Sequence, residues 1–464
     1  MLMLRCRSCF LPIVLIAWMV NGTAAADCSA AADYCGADSG EEALPNILMI
    51  FSDDQGMHDV GCYGSEIKTP VLDGLASEGV RFTQFYAASS ICTPSRYGLF
   101  TGRYAHHSKD QLTSALMFLS PEDADRGLRA QETTYMRVLR KHGYQTSLVG
   151  KWHLGHGKKY FLPTRHGFQA FFGHTGGCVD FFTLQYANRP DWYRNEDLVE
   201  PKGYATDVIT DEAIREIKRM HLVNRPFYLH LSYNAPHFGK AWDGEAEKPK
   251  NTMQPKLHDL KQVSTDLDPV RRAFAAKVVG LDASIGRVLH TLEELGVEKN
   301  TLVIFMTDHG GDPKYGGANY PYRGSKATLY EGGIRVPCLV RWPQRIDAGQ
   351  ISDQVACAID WFPTFTEMCG EDPPDVLDGV SLLSDLAGTR EGERLTERTL
   401  VWKTGAHREL GRATWKAVRQ ADWKWVQPPG EAPQLYNLAV DPYEKEDVAA
   451  KHPKLLLDLG DLCR

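Results

Sequence analysis

The sequence lacks the features of a membrane-spanning or nucleic-acid-binding chain. Its N-terminal apolar run, Phe10 to Val20, has only eleven residues, and no later window is long and apolar enough to cross a bilayer. Basic residues do not dominate: 52 Lys and Arg stand against 59 Asp and Glu, for a net charge of -7, so no nucleic acid is expected as a partner. No fixed-period repeat and no low-complexity tract occurs. The length and composition exclude fibrous, coiled-coil and short disulfide-scaffold proteins.

The composition that remains is that of a folded, loop-rich protein. The chain has 464 residues, 43% hydrophobic and 24% charged, with 41 Gly and 25 Pro. At roughly 150 residues per domain, this length predicts two or three domains with a large buried core.

The first residues have the order of a secretory signal. Arg5 and Arg7 precede the apolar run, and small residues follow up to Ala26, which predicts a signal peptide over 1–26 and a periplasmic or extracellular protein. Cys28 lies close to the predicted cleavage site, where a lipid-anchored protein would have its modified cysteine. Asp27 before it fits a lipoprotein processing site poorly, so no stable membrane anchor is expected. The absence of an Asn-x-Ser/Thr acceptor after Ala26 favours a bacterial source.

The cysteine count is odd once the signal is removed. Of eleven cysteines, Cys6 and Cys9 leave with the signal and nine remain, so one is unpaired or chemically altered. The pairs close enough in sequence to bond are Cys28 with Cys35 and Cys357 with Cys369, although the sequence leaves the connectivity open.

Four short apolar runs, each followed by polar residues, predict buried strands. Helix-period stretches at 133–142, 204–220 and 270–295 alternate with them, which is typical of an α/β protein with a large, mainly parallel sheet sandwiched by helices. Reactive groups of such sheets collect at the carboxyl ends of the strands. The four runs, with the polar residues that follow them, are Ile47 to Phe51 with Ser52-Asp53-Asp54, Gln145 to Val149 with Gly150-Lys151-Trp152-His153, Phe227 to Leu231 with Asn234-Ala235-Pro236-His237, and Leu302 to Met306 with Thr307-Asp308-His309.

The predicted domain organisation has an N-terminal arm over 27–44, a catalytic domain over 45–385 and a C-terminal subdomain over 386–464. Residues 154–202 have little period and read as an insertion that walls the site. The C-terminal part predicts a small antiparallel sheet followed by a helix. Its runs are Leu400 to Lys403, Ala413 to Arg419, Trp423 to Gln427, Gln434 to Asn437 and the helix Pro453 to Leu459.

The most specific motif is Ser90-Ile-Cys-Thr-Pro-Ser-Arg-Tyr-Gly-Leu-Phe-Thr-Gly102. Pro94 suits the first turn of a helix, so a group at Cys92 would face helix N–H donors and lie near Arg96, an arrangement that binds anions. A lone cysteine in a loop is more often a buried structural residue. The whole stretch favours the functional interpretation.

This stretch resembles the signature of the formylglycine-dependent (type I) sulfatase family, within the alkaline phosphatase superfamily. The resemblance covers roughly residues 45–445. Two further stretches are similar to family motifs: Gly143-Tyr-Gln-Thr-Ser-Leu-Val-Gly-Lys-Trp-His153, and Gly324-Ser-Lys326 leading to Tyr330-Glu-Gly-Gly-Ile-Arg-Val-Pro337.

The resemblance implies an alkaline phosphatase-like fold and a sulfuric ester hydrolase of the arylsulfatase type. A maturation enzyme would oxidise Cys92 to formylglycine, whose hydrated aldehyde would attack sulfur and pass through a sulfated hemiacetal. The substrate would be a sulfated small molecule or glycan. The residues implied in catalysis are Cys92, Arg96, Lys151, His153, His237 and Lys326.

The resemblance also implies one Ca²⁺ per chain. Asp53 and Asp54 follow one apolar run and Asp308 follows another, and the three would hold it together with the modified side chain at position 92. His309 completes the implied set, although imidazole is an unusual calcium ligand and this residue could instead hydrogen-bond the sulfate or the diol.

Two alternatives stay open. The same superfamily includes phosphodiester and phosphonate monoester hydrolases, some of which use formylglycine. A non-catalytic protein that binds sulfated glycans would result if Cys92 stayed a thiol, although binding alone would not require the proton-transfer groups His153 and His237.

Overall fold

The predicted apolar runs form the centre of a ten-stranded sheet. A computed structural model describes residues 43–388, 395–405 and 414–463 of the chain. The strands are β1 (Asn46–Asp53), β2 (Val80–Phe82), β3 (Phe85–Tyr86), β4 (Gln145–Lys151), β5 (Ala170–His174), β6 (Gln185–Tyr186), β7 (Arg189–Pro190), β8 (Tyr193–Arg194), β9 (Asp197–Leu198), β10 (Phe227–Pro236), β11 (Gly239–Asp243), β12 (Lys248–Thr252), β13 (Thr301–Thr307), β14 (Cys338–Arg341), β15 (Gln350–Ser352), β16 (Ala356–Cys357), β17 (Thr399–Lys403), β18 (Lys416–Gln420), β19 (Trp423–Gln427) and β20 (Gln434–Asn437).

The sheet is parallel over its five central strands and mixed toward its edges, where the outermost pair β15–β2 is parallel again. Its order is β15-β2-β14-β13-β1-β10-β4-β5-β8-β9. Strands β13, β1, β10, β4 and β5 run parallel, whereas β14 and β8 pair antiparallel to their inner neighbours. Because the four runs that precede polar clusters are adjacent in this order, their carboxyl ends meet at one edge.

Both faces of the sheet are buried, which explains why these strands are apolar at successive positions. In β1, Ile47, Met49 and Phe51 face one core, whereas Leu48 and Ile50 face the other. Side chains alternate across a strand, so each central strand contributes to two cores at once. The predicted α/β sheet sandwiched by helices is confirmed.

The helices divide between the two faces. Those of one layer, α1, α4 and α6, pack on the core that contains Leu48, whereas α2, α3 and α8 pack on the core that contains Ile47. The helices are α1 (Pro70–Ser77), α2 (Cys92–Thr101), α3 (Tyr135–Lys141), α4 (Ala205–His221), α5 (Leu257–Leu260), α6 (Pro269–Glu294), α7 (Glu331–Ile334), α8 (Trp361–Met368), α9 (Leu383–Leu386) and α10 (Pro453–Asp461).

The C-terminal part forms the expected antiparallel sheet, with order β17-β18-β19-β20, and α10 packs against β18 and β19. Ala413, included in the predicted second run, lies outside the described residues.

The interpretation of 154–202 as an irregular insertion was incomplete. Within it, β5 extends the main sheet beyond β4, and the hairpin β8–β9 continues that edge. Of the strands in this segment, only β5 is longer than two residues. Strands this short are held by pairing with their neighbours and are too short to leave an alternating hydrophobic pattern in the sequence.

Cys357 and Cys369 do not form the disulfide considered from the sequence; both are free thiols. They flank a helical segment that runs from Ala358 to Met368, which at 1.5 Å per residue places them well beyond the roughly 7 Å limit between the Cα atoms of a disulfide. Cys28 and Cys35 lie outside the described residues.

Within the described ranges, none of the helices combines the length and the apolar character that a membrane span requires.

Candidate active site

Three carboxylates meet where β1 and β13 end. These strands pair in parallel with Ser52 opposite Thr307, so Asp53 and Asp54 lie beside Asp308. The Asp54 backbone N–H donates to Asp308 Oδ1 at 3.2 Å. Asp54 has a left-handed backbone with φ of 63°, an unfavourable conformation for a residue with a Cβ and one that recurs at functional sites.

Cys92 is the first residue of α2, and its side chain is buried against these acids. Its Sγ lies 3.8 Å from Asp53 Oδ1 and 3.2 Å from His309 Nε2. Burial opposes ionisation of the thiol, but Lys151, Lys326 and His309 outweigh it and hold the Cys92 pKa well below its ordinary value. Position 92 therefore favours an anionic oxygen or sulfur.

The donor atoms are close enough to share one ion. Those of Asp53, Cys92, Asp308 and His309 all lie within 4.8 Å of one another, and a second overlapping group combines Asp53 and Cys92 with Asp54 and His237. All of these residues are buried. Three carboxylates are the ligands of a hard divalent cation such as Ca²⁺, so the donor set fits that metal.

The protonation of these acids also indicates a need for positive charge. Burial raises the pKa of Asp54 to about 6, and burial together with the neighbouring Asp53 raises that of Asp308 well above its ordinary value. For Asp53, burial is outweighed by Lys151, His237 and Arg96, which keep its pKa low. A divalent cation among these carboxylates would favour the ionised form of each.

Arg96 and Lys151 hold the acids in place. Lys151 Nζ lies 2.5 Å from Asp53 Oδ2. Arg96 reaches Asp308 Oδ2 at 3.4 Å and donates to Ser232 Oγ at 2.7 Å. Neither side chain is exposed, so in this geometry both contact carboxylates directly.

Gly150 allows Lys151 to occupy this position. Its φ is 111°, and a Cβ there would come within 1.9 Å of the Ser232 carbonyl oxygen. No other residue fits between β4 and β10 at this point without moving the backbone.

Lys326 and His237 form a pair on the other side of Asp54. Lys326 Nζ lies 2.6 Å from Asp54 Oδ1 and 3.3 Å from His237 Nε2. His237 Nδ1 donates to the Phe238 carbonyl at 2.8 Å, which leaves Nε2 with its lone pair toward Lys326. Burial and Lys326 lower the pKa of His237, whereas the pKa of Lys326 is raised because the neighbouring anions outweigh its burial. The proton shared by this pair therefore resides on Lys326.

His153 lies beside Cys92. Its Nε2 donates to the Leu116 carbonyl at 2.8 Å, so Nδ1 keeps its lone pair, and this atom has no hydrogen-bond partner among the described residues. Burial lowers the pKa of His153, which favours the neutral imidazole. Its φ of 58° is a second left-handed backbone at the site.

The structure thus brings together all ten residues singled out from the sequence. It also contains supporting residues that sequence reasoning missed. Thr93 Oγ1 donates to the His153 carbonyl, Ser95 Oγ to the Asp308 carbonyl, and buried Lys277 to the His237 carbonyl. Thr93 and Ser95 occupy the variable positions of the motif, whereas Lys277 interrupts the apolar face of α6, which was the available signal.

Comparisons with known proteins agree on one family. The family model described as Sulfatase matches residues 45–371, and one described as N-sulphoglucosamine sulphohydrolase, C-terminal, matches 324–456. Arylsulfatase J of Mus musculus is 30% identical, over 89% of this chain and 74% of its own length. N-acetylgalactosamine-6-sulfatase of Canis lupus familiaris is 33% identical, over 84% and 73%.

Solved structures show the same fold. Ps i-CgsB in complex with k-i-k-neocarrahexaose has a TM-score of 0.80 and 29% identity, covering 90% of this chain and 92% of its own. BT4656 in complex with D-glucosamine-2-N,6-O-disulfate has a TM-score of 0.69 and 21% identity, covering 91% and 97%, and this likeness bears on the fold alone.

Proposed function

Because the chain belongs to the sulfatase family and is a sulfuric ester hydrolase, we propose that it releases sulfate from a carbohydrate sulfate monoester, with Cys92 matured to formylglycine and one Ca²⁺ at the acidic cluster. The observation that carries this proposal is the position of Cys92. Its side chain points into a buried group of three carboxylates and three cations, at van der Waals distance from Asp53 and hydrogen-bond distance from His309.

Asp53, Asp54 and Asp308 would hold the metal with the modified side chain at position 92, and His309 would complete the set. Bound there, Ca²⁺ would supply a Lewis acid that lowers the pKa of the hydrated aldehyde and offsets charge on the sulfate oxygens. The alternative role of His309 as a hydrogen-bond donor to the sulfate stays a prediction.

The three cationic side chains, Arg96, Lys151 and Lys326, would position the carboxylates and the bound sulfate relative to one another. Arg96 and Lys151 fix the orientation of Asp308 and Asp53, so that the carboxylates need not rearrange when charge develops. Lys326 keeps protons directed at the space beside Asp54, where the ester oxygen of a bound sulfate would lie.

The two histidines suit opposite proton transfers. Neutral His153, with Nδ1 free, would accept a proton from a hydroxyl at position 92. The His237–Lys326 pair carries the proton that the leaving alcohol requires, and Lys326 holds it in the resting geometry. We therefore assign protonation of the leaving group to the pair rather than to His237 alone.

The carbohydrate substrate is supported by the relatives and by the walls of the site. N-acetylgalactosamine-6-sulfatase acts on a sulfated amino sugar by its name, and Ps i-CgsB is seen with a bound oligosaccharide. Phe238, adjacent to His237, packs against Tyr315 with ring centroids 4.3 Å apart and the ring planes tilted by 42°. Such aromatic surfaces suit the apolar face of a sugar ring.

The proposal also includes export by the signal peptide predicted over 1–26. It retains a catalytic domain over 45–385 with a C-terminal subdomain over 386–464. The maturation enzyme that reads the motif around Cys92 would be the partner required before folding.

Two measurements on the same material test the proposal. The protein is produced together with a formylglycine-generating enzyme, and mass spectrometry gives the mass of the tryptic peptide that contains position 92. Sulfate release is then measured with 4-nitrophenyl sulfate and with a panel of sulfated sugars. We expect the formylglycine mass, turnover that EGTA abolishes and calcium restores, and no turnover in Cys92→Ala. Fully active protein in which Cys92 is only an unmodified thiol would contradict the proposal that formylglycine is the nucleophile. Faster hydrolysis of an aryl phosphodiester than of the aryl sulfate would contradict the proposal that the substrate is a sulfate ester.

A further inference from the structure

An aromatic cluster borders the site on the side of the leaving group. It consists of Cys178, Tyr186, Ala187 and Phe238, with Phe118, Met253 and Tyr315 partly exposed at its edge. The Phe238 ring lies 4.0 Å from the His237 ring and 5.9 Å from Lys326 Nζ. A substrate bound with its sulfate at Cys92 would therefore extend along this cluster.

Lys240, the second residue of β11, reaches the same cluster. Its Nζ lies 5.9 Å from the Phe238 ring and 5.8 Å from the Tyr186 ring. Since Lys326 is equally far from the Phe238 ring, the two ammonium groups are separated by no more than twice that distance. This upper limit leaves room for one or two sugar units between the two ammonium groups.

Unlike the other cations of the site, Lys240 has no acid beside it. Arg96, Lys151 and Lys326 each lie within 4 Å of an aspartate, whereas no carboxylate among the described residues comes within that distance of Lys240. The Lys240 Nζ instead donates to Asn251 Oδ1 at 2.5 Å. An ammonium group has three donors, so two remain for a ligand.

The position of Lys240 is fixed by a short chain of hydrogen bonds. Asn251 lies opposite Lys240 in the β11–β12 hairpin, and its Nδ2 donates to the Tyr315 hydroxyl at 2.9 Å. The half-buried ammonium is thus held at the edge of the aromatic cluster rather than free in solvent. A cation held in this way and left without a counter-charge favours an anion brought by the substrate.

We propose that Lys240 binds a second anionic group of the substrate, a sulfate or a carboxylate, on the sugar next to the one whose sulfate ester is hydrolysed. The inference rests on the proposed function and narrows it: the preferred substrates are glycans with anionic groups on neighbouring sugars, and simple aryl sulfates use only the inner half of the site. Phe238, whose ring both ammonium groups approach, and the neighbouring Tyr315 offer an apolar surface for the intervening sugar ring.

The test compares Lys240→Gln with a matched control on the same hairpin. Lys250 faces away from Lys240, because it pairs with Ala241 across the two strands, and it lies 3.6 Å from Asp243. Lys250→Gln therefore removes the same charge from the opposite face. Lys240→Arg keeps the charge and should preserve binding.

Three probes of one backbone serve as inhibitors of 4-nitrophenyl sulfate hydrolysis: galactobiose with one 6-sulfate, its counterpart with a second sulfate on the neighbouring sugar, and its counterpart with a uronate carboxylate there. We expect the wild type to bind one or both doubly charged probes about ten-fold more tightly than the singly charged one, as suits one charged hydrogen bond. Lys240→Gln should remove this difference, while Lys250→Gln and Lys240→Arg keep it. The stronger of the two doubly charged probes identifies the anion.

Equal inhibition by the three probes in the wild type, or a preference that survives in Lys240→Gln, would overturn the inference. Its failure is separable from failure of the proposed function. Hydrolysis of 4-nitrophenyl sulfate by every variant at a similar rate supports the proposed function whatever the probes do. If no variant releases sulfate, calorimetric binding of the probes to full-length Cys92→Ala still decides the role of Lys240.

Discussion

Replacing Lys424 by Met should destabilise the protein strongly, because this lysine joins the C-terminal sheet to the segment that carries Lys326. Lys424 belongs to β19, and its Nζ lies 2.8 Å from Glu331 Oε1 and 2.9 Å from Glu444 Oε1, with none of the three side chains exposed. Glu444 also accepts the Glu331 backbone N–H at 2.6 Å. Without Lys424, two buried carboxylates would lose their shared cation.

The size of the effect follows from burial. Breaking a buried ion pair by removing one partner costs about 3–5 kcal/mol. For a chain of this length, at roughly 2 cal/mol/K of unfolding entropy per residue, that cost lowers Tm by about 3–6 °C. Lys451→Met is the control, because Lys451 pairs with Glu446 at 2.6 Å on the surface, where such pairs contribute about 0–1 kcal/mol.

The loss should also depend on pH. Burial already raises the pKa of Glu444 to about 7. Loss of Lys424 should raise the pKa of Glu444 further. A carboxyl group whose pKa is higher in the folded than in the unfolded protein destabilises the fold only at pH values above its unfolded pKa, which is about 4.3 for Glu. The Tm difference between Lys424→Met and wild type should therefore be larger at pH 8 than at pH 5.

Differential scanning fluorimetry at both pH values, with calcium present, measures these shifts. A Tm for Lys424→Met no lower than that of Lys451→Met would refute the reasoning, and so would a larger loss at pH 5. Sulfate release should fall as well, because Arg323, three residues before Lys326, donates to the Tyr436 hydroxyl and to the Glu444 carbonyl.

Three further changes probe the site itself. His237→Gln should slow hydrolysis of an alkyl sulfate by about 10²–10⁴-fold and that of 4-nitrophenyl sulfate much less, since nitrophenolate leaves without a proton; equal losses in steady-state kcat would count against the acid role. Asp308→Asn should abolish turnover and the rise in Tm on calcium titration, so an unchanged calcium response would exclude Asp308 as a ligand. Gly150→Ala should lower Tm and activity together, because its Cβ would meet the Ser232 carbonyl; wild-type values of both would contradict the close approach.

The centre of the fold was predictable because it depends on burial, which the sequence records directly. Strands such as β1 and β13 are covered on both faces, so nearly every position is apolar and the run stands out. The edge strands β8 and β9 could not be predicted in the same way. Each has two residues, and both are stabilised by pairing with strands that are distant in sequence or by a hairpin turn.

The members of the site were predictable from motifs and strand ends, but their partners were not. Sequence position places Lys151 and Lys326 at the same edge as the acids; it does not show that Lys151 contacts Asp53 while Lys326 contacts Asp54. Those pairings depend on side-chain conformation and on the depth of each strand end. Lys240 was missed for a related reason, since its role depends on an aromatic cluster assembled from residues that are far apart in the sequence.

The one-to-one balance of charge at the centre bears on which anion the site prefers. With a divalent cation bound and all three acids ionised, Asp53, Asp54 and Asp308 would carry three negative charges, against three positive charges on Arg96, Lys151 and Lys326. If His309 is a neutral ligand, a bound divalent cation would leave the cluster with two uncompensated positive charges. A sulfate monoester, with one negative charge, and an ionised hydroxyl at position 92 would together neutralise these two positive charges. A phosphate monoester carries more negative charge, so with the same hydroxyl it would leave the cluster with a net negative charge. The cluster would thus match a singly charged ester. Lys240, which has no carboxylate within 4 Å in the part of the chain that the structure describes, would bind a second charge on a neighbouring sugar without disturbing that match.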